Sequence, residues 1–148
     1  MKYTSSRFGE FEVTDDAILN IPDGLYGFEQ ETRFALLPFD SNIDSPLQWL
    51  HSLITPELAF VVTDPVLFLP DYEVTLTADD RRTIGLGEED TFQVRIIVTV
   101  PEDYRRMTGN FLAPLVIHPG LNTGKQLVLT RQDYNTQHPL LPDAVRDN

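Results

Sequence analysis

The sharpest pattern in the chain lies between Phe92 and Val100, where Phe92, Val94, Ile96, Val98 and Val100 alternate with Gln93, Arg95, Ile97 and Thr99. A period of two with one apolar face predicts a strand, and Pro101 ends it. Denser apolar blocks stand at residues 58–62 and 66–69, each closed by an acid beside a proline, Asp64-Pro65 and Pro70-Asp71. Phe60, Val61 and Val62 are aromatic and β-branched, which favours a buried strand. Pro65 cannot donate to a ladder and biases Asp64 to extended geometry, so that strand ends near Thr63. Residues 65–69 then form either a helical turn opened by Pro65 or a second short strand.

The rest of the chain repeats this alternation of short apolar runs and turn residues. Residues 3–13 alternate loosely around Gly9, which predicts a hairpin or a bulge, and residues 17–21 predict a short strand. Pro22-Asp23-Gly24 is a turn, with proline setting φ and glycine accepting positive φ; residues 27–33 are polar enough for one helical turn. A strand over 34–39 stops at Pro38 and is followed by a polar loop over 40–46. The segment 47–53, with the only tryptophan, Trp49, pairs with 58–62 through Thr55-Pro56-Glu57. Residues 73–76 predict another strand. Thr77 as N-cap, Asp79 and Asp80 in the first turn and Gly85 at the end predict a helix over 78–84. Strands over 112–118 and 125–130 flank a turn at 120–124, and residues 139–148, with two prolines, predict a frayed tail. Many short strands, frequent Gly and Pro turns and one short helix predict an all-β sandwich or barrel, a single domain over 1–138.

A chain of 148 residues suits one domain, which buries roughly 70% of its unfolded surface. It has no cysteine, so disulfides, zinc–thiolate sites and thiol catalysis are excluded. The first residues lack an apolar signal region and no run reaches membrane-spanning length, so a soluble, cytoplasmic protein with no membrane contact is expected. The net charge of −12 repels phosphate backbones, which argues against direct nucleic-acid binding. It either serves solubility alone or steers the protein towards a basic partner.

The candidate chemistry is sparse. His51, His118 and His138 are scattered, with no spacing that brings two to one face, and no Gly-x-Ser-x-Gly elbow is present. Gly85-Leu86-Gly87 follows a helix rather than a strand and terminates it; it is no dinucleotide fingerprint. Adjacent carboxylates such as Asp79-Asp80, Glu88-Glu89 and Glu102-Asp103 point in different directions on a helix or strand, so they form no ready acid–base pair. Neither catalytic residues, nor a metal, nor a cofactor is expected. From Asp71 to Tyr104, however, nine acids face only three bases, Arg81, Arg82 and Arg95. The connection over 101–111 places Tyr104, Met107 and Phe111 among charges, which is the make-up of a protein-binding patch or of a flap folded over the barrel. A competing possibility is a small-molecule barrel or minor enzyme in which Asp64, Asp71 and His51 converge in a cavity.

Several blocks, taken in order, resemble one family. They are Ile21-Pro22-Asp23-Gly24 with Gly27-Phe28-Glu29, Phe60-Val61-Val62-Thr63-Asp64-Pro65, Pro70-Asp71-Tyr72, Val98-Thr99-Val100-Pro101-Glu102-Asp103, Met107-Thr108 with Asn110, Leu112-Ala113-Pro114 and Lys125-Gln126. Together they resemble the flagellar assembly factor FliW family, from about Tyr3 to His138. The departures are Leu25-Tyr26, where an apolar residue followed by proline is common, and Gly109 and Phe111 around Asn110. The resemblance implies a small β-barrel-like fold of short antiparallel strands with one or two helical turns, and no catalysis. It implies binding to flagellin and to the carbon storage regulator CsrA: the free protein relieves CsrA repression of flagellin translation, and accumulating flagellin withdraws it. CsrA-type proteins have basic surfaces, so an acidic partner suits them. The residues expected at the partner surface are the carboxylates Asp71, Glu102 and Asp103, with Tyr72, Tyr104, Met107, Asn110 and Phe111. A flagellin chaperone indifferent to CsrA differs from this only in its partners.

Overall fold

The computed structural model describes residues 2–39, 45–130 and 133–141. Among them run β1 (Lys2–Ser5), β2 (Gly9–Glu12), β3 (Leu19–Asn20), β4 (Arg33–Pro38), β5 (Leu47–Ser52), β6 (Ala59–Thr63), α1 (Ala78–Ile84), β7 (Gln93–Thr99), β8 (Thr108–Gly109), β9 (Leu115–His118), β10 (Thr123–Gln126) and β11 (His138–Pro139). Single 3-10 turns stand at Asp15–Ala17, Pro65–Leu67 and Tyr104–Arg106. Seven strands close a barrel in the order β7-β6-β5-β4-β3-β10-β9, and β9 returns to β7 through Gln93↔Ile117, Val94↔Val116 and Arg95↔Leu115. Its pairings are antiparallel except β3 with β10, which meet in parallel at Asn20↔Thr123. The all-β, barrel-like expectation is borne out.

Alternation explains the two-sided burial. One face of the strands fills the barrel with Leu19, Phe34, Leu50, Val62, Leu115 and Ile117, together with Leu36, Phe60 and Ile97. On β7 the expected apolar face, Ile96 and Val98, points the other way, into a second cluster outside the barrel with Tyr72, Phe111, Tyr134 and Leu140. Ile97, grouped with the polar positions by its place in the alternation, packs on the interior cluster, so both faces of this strand are covered. The β1–β2 hairpin lies over the outside of β4, where Tyr3 and Phe11 pack with Val13, Ile18 and Ala35. His51 fastens it there. This ring is fully buried, with Nε2 2.7 Å from the Ser5 hydroxyl and Nδ1 2.7 Å from the Ser52 carbonyl.

The helix forms where its end signals placed it. The Thr77 hydroxyl accepts the Asp80 N–H, the Asp80 carboxylate accepts the Thr77 N–H, and Gly85 closes the helix at φ 74°. Seven residues are too few to hold a helix alone. Burial of Ile84 beside Val116 and Leu127 anchors it to the barrel.

Of the two alternatives after Thr63 the helical turn forms: Pro65 opens a 3-10 turn, with the Asp64 carboxylate accepting the Val66 N–H at 3.1 Å. Local expectations differ in several other places. Residues 26–30 form turns around a Leu25↔Phe28 bridge instead of a helical turn, and Arg33 already opens β4. Residues 73–76 make no ladder; the Glu73 N–H donates to the Tyr134 hydroxyl. Beyond Gln126 the expected strand loses regular register, although Leu127 and Leu129 still donate to the Pro114 and Leu112 carbonyls. Pro139 pairs with Thr108 and Leu140 is buried, so the chain is held past the point where the tail was expected to begin; residues 142–148 lie outside the described ones, as do 40–44 of the polar loop. No helix among the described residues is long and apolar enough to cross a membrane.

Candidate partner surface

The eight residues singled out in the sequence fall into three places. Glu102, Asp103 and Tyr104 stand together on the connection between β7 and β8, and Tyr104 is 64% exposed. Asp103 is the N-cap of the turn there, its carboxylate accepting the Arg105 N–H at 3.2 Å. The same carboxylate binds the Arg105 guanidinium through two bonds of 2.9 and 3.2 Å and has Arg106 at 3.7 Å. Hydrogen bonding from Arg105, with the charge of both arginines, holds the Asp103 carboxyl below its usual range. Two acids and two arginines therefore share this tip, and the expected acidic patch is locally neutral.

Tyr72 and Phe111 are corrected to core positions. Phe111 is 0% exposed and Tyr72 8%; their rings meet edge to face at 5.3 Å, and the Tyr72 hydroxyl donates to the Phe111 carbonyl at 2.6 Å. Gly109 explains the inward turn of Phe111, because a Cβ there would stand 2.7 Å from Ile96 and 3.1 Å from the Phe111 ring. Met107 is half-buried against the same cluster, and its carbonyl accepts the Leu140 N–H. Asp71 is exposed at the edge of that cluster, one residue before Tyr72. Asn110 lies elsewhere: its side chain accepts the Leu112 and Ala113 N–H groups, and it faces the open end of the barrel.

The acidity missing from the tip of the β7–β8 hairpin is concentrated around α1. Residues 71–90 carry seven acids and two arginines. Only Asp80 is drawn inward, to 3.0 Å from the Lys125 ammonium. Burial pushes the Asp80 carboxyl up, but the Thr77 N–H, the Lys125 ammonium and the Thr77 hydroxyl together hold it below the usual carboxylate range. A carboxyl depressed on folding stabilises the fold above its unfolded value and loses that contribution as pH falls through the folded one. Acid unfolding is therefore expected to weaken the wild-type protein below about pH 4, with Asp80→Asn flattening that limb; urea titrations between pH 2.5 and 6 check it.

The cavity site expected as the competing possibility is not assembled. His51 is sealed under the hairpin, Asp64 caps its own turn, and Asp71 is on the surface. His118 accepts N–H groups from Gly120 and Leu121, and His138 packs edge-on to Phe111 at 4.8 Å. Among the described residues no group of three or more His, Asp or Glu is placed to hold a metal ion. The feature sequence reasoning missed is the barrel mouth, where Tyr26, Phe28 and Val128 are exposed together. Its signal was present as two aromatics, Tyr26 and Phe28, on a turn whose Gly24 and Gly27 both have positive φ.

A barrel filled with side chains, wrapped by a hairpin on one flank and an apolar flap on another, defines a small β-barrel protein that offers its outer surface and rim. The chain belongs to the FliW family: the model of the family described as FliW protein matches residues 2–140. It is 40% identical over 145 residues to the flagellar assembly factor FliW of Heliobacterium modesticaldum, covering 98% of this chain and 94% of that one. With the protein of the same description from Desulfitobacterium hafniense DCB-2 it shares 39% identity over 144 residues, 97% of this chain and 93% of the other. A crystal structure of the flagellar assembly factor FliW superposes with a TM-score of 0.87 at 31% identity, over 97% of this chain and 99% of that one.

Proposed function

We propose that this chain is a cytoplasmic, non-catalytic regulator that binds flagellin and the translational regulator CsrA, and that by binding CsrA it relieves repression of flagellin mRNA translation. The observation that carries this reading is near-complete alignment with relatives described as flagellar assembly factors. The net charge of −12 suits a basic, RNA-binding partner and disfavours direct contact with the RNA itself. In this proposal the contacts come from Asp71, Glu102, Tyr104 and the exposed side of Met107. Tyr72 and Phe111 set the shape of that surface from beneath, and Asp103 fixes the turn that presents it.

Glu102→Lys is the clean test, because Glu102 is exposed while Asp103 is needed by its own turn. The expected result is CsrA binding weakened about fivefold to tenfold at low salt, with the loss shrinking as ionic strength rises. Unchanged low-salt affinity in calorimetry would remove the hairpin from the interface. Pull-downs with flagellin and CsrA, singly and in competition, test the partners themselves. Capture of flagellin alone would leave a chaperone indifferent to CsrA, and capture of neither would overturn the proposal.

A further inference from the structure

Beyond the Val61↔Val98 pair the ladder between β6 and β7 stops, and the barrel ends in a groove of about 340 Å³. Phe60, Ile97 and Leu25 line it from the core, and Tyr26, Phe28 and Val128 stand on its rim at 61%, 41% and 55% exposure. Among the described residues, none of the twelve that line it is charged. Exposed apolar side chains scattered singly need no explanation, but three gathered on the rim of an uncharged groove do.

The rim is held in place. The Tyr26 N–H donates to the Gln126 side chain at 2.8 Å, and the same buried amide donates to the Ala113 carbonyl at 3.1 Å. Leu25 and Phe28 exchange main-chain bonds, and the Phe28 ring packs edge-on to Phe60 at 5.2 Å. A ligand meeting such a rim orders little on binding, which favours affinity. The margin beside it is acidic. Asp23 and Glu29 line an adjoining hollow that shares Leu25, Tyr26 and Gln126 with the groove. Lys125, which also lines that hollow, is engaged by Asp80.

From this pairing of an uncharged groove with a negative margin we infer that the barrel mouth docks a short amphipathic peptide segment of a partner protein. The segment presents aliphatic or aromatic side chains to Tyr26, Phe28 and Val128 and places Lys or Arg against Asp23 and Glu29. This goes beyond the proposed surface on the β7–β8 connection and uses other side chains.

The test titrates the isotopically labelled full chain with an amphipathic Leu/Lys peptide and with a Ser/Lys peptide of equal charge and length, read by amide chemical shifts and by affinity. The Leu/Lys peptide is expected to move the amides of residues 25–28, 97–99 and 126–128. Tyr26→Ser with Val128→Ser is expected to weaken it about tenfold or more without lowering the melting temperature, since both side chains are exposed. Glu102→Lys leaves this peptide unaffected, so failure here is distinguishable from failure of the hairpin surface. Absence of binding, shifts confined to other surfaces, or equal binding of the Ser/Lys peptide would overturn the inference. So would self-association of the chain abolished by the same substitutions, which would make a second copy the occupant.

Discussion

Phe111→Ala is expected to lower stability by about 3–5 kcal/mol, the range for deleting a fully buried aromatic side chain. The ring is 0% exposed and is packed against Tyr72 at 5.3 Å and His138 at 4.8 Å, so its removal leaves a hole that two large neighbours cannot close without moving the segments they sit on. The Tyr72 hydroxyl bond survives, because its acceptor is the Phe111 main-chain carbonyl. In thermal unfolding the loss corresponds to roughly 6–20 °C. Tyr104→Ala on the same connection, 64% exposed, is expected to stay within about 0.5 kcal/mol of wild type. Both substitutions belong to one aromatic cluster in the sequence, and the two melting curves separate support from surface. A Phe111→Ala protein that melts normally yet fails to bind would return this residue to the interface.

Gly24→Ala is expected to cost about 2–5 kcal/mol, and Gly27→Ala only about 1–2. Both glycines have positive φ, 68° and 84°, so each alanine meets the left-handed penalty. At Gly24 the added Cβ also falls 2.5 Å from the Glu29 carbonyl oxygen and 2.6 Å from its carbon, main-chain atoms that cannot swing aside as a side chain can. At Gly27 nothing lies within 4 Å. Urea denaturation of the two variants measures the difference, which isolates steric collision from backbone conformation. Equal losses would mean that the turn relaxes around the new methyl.

Much of the fold was legible because its signals are local. Thr77, Asp80 and Gly85 mark both ends of α1, and Pro65 ends β6 where its missing donor requires. The face of a strand that looks into the barrel could not be read. Ile96 and Ile97 are adjacent and equally apolar, and only closure of β7 onto β9 decides that Ile97 packs on the interior and Ile96 under the flap. The candidate partner surface was harder to read for a related reason. Tyr72, Tyr104 and Phe111 have the same composition around them, and burial separates them through residues far along the chain, Tyr134 and Leu140 among them. The arginines that neutralise Asp103 were in plain view two and three residues away; the 3-10 turn that folds them back onto it was not.

The parallel meeting of Asn20 with Thr123, and the bond from the Tyr26 N–H to Gln126, join residues about a hundred positions apart. The final stave of the barrel is thus supplied by the last third of the chain. During synthesis the first hundred residues can form hairpins but no closed ring, and their apolar inner faces stay accessible until β9 and β10 emerge. Such long-range closure places folding in the slow class, milliseconds to seconds rather than microseconds. A protein built this way closes its barrel only after its translation is essentially complete, so newly made molecules enter the pool as whole, closed barrels.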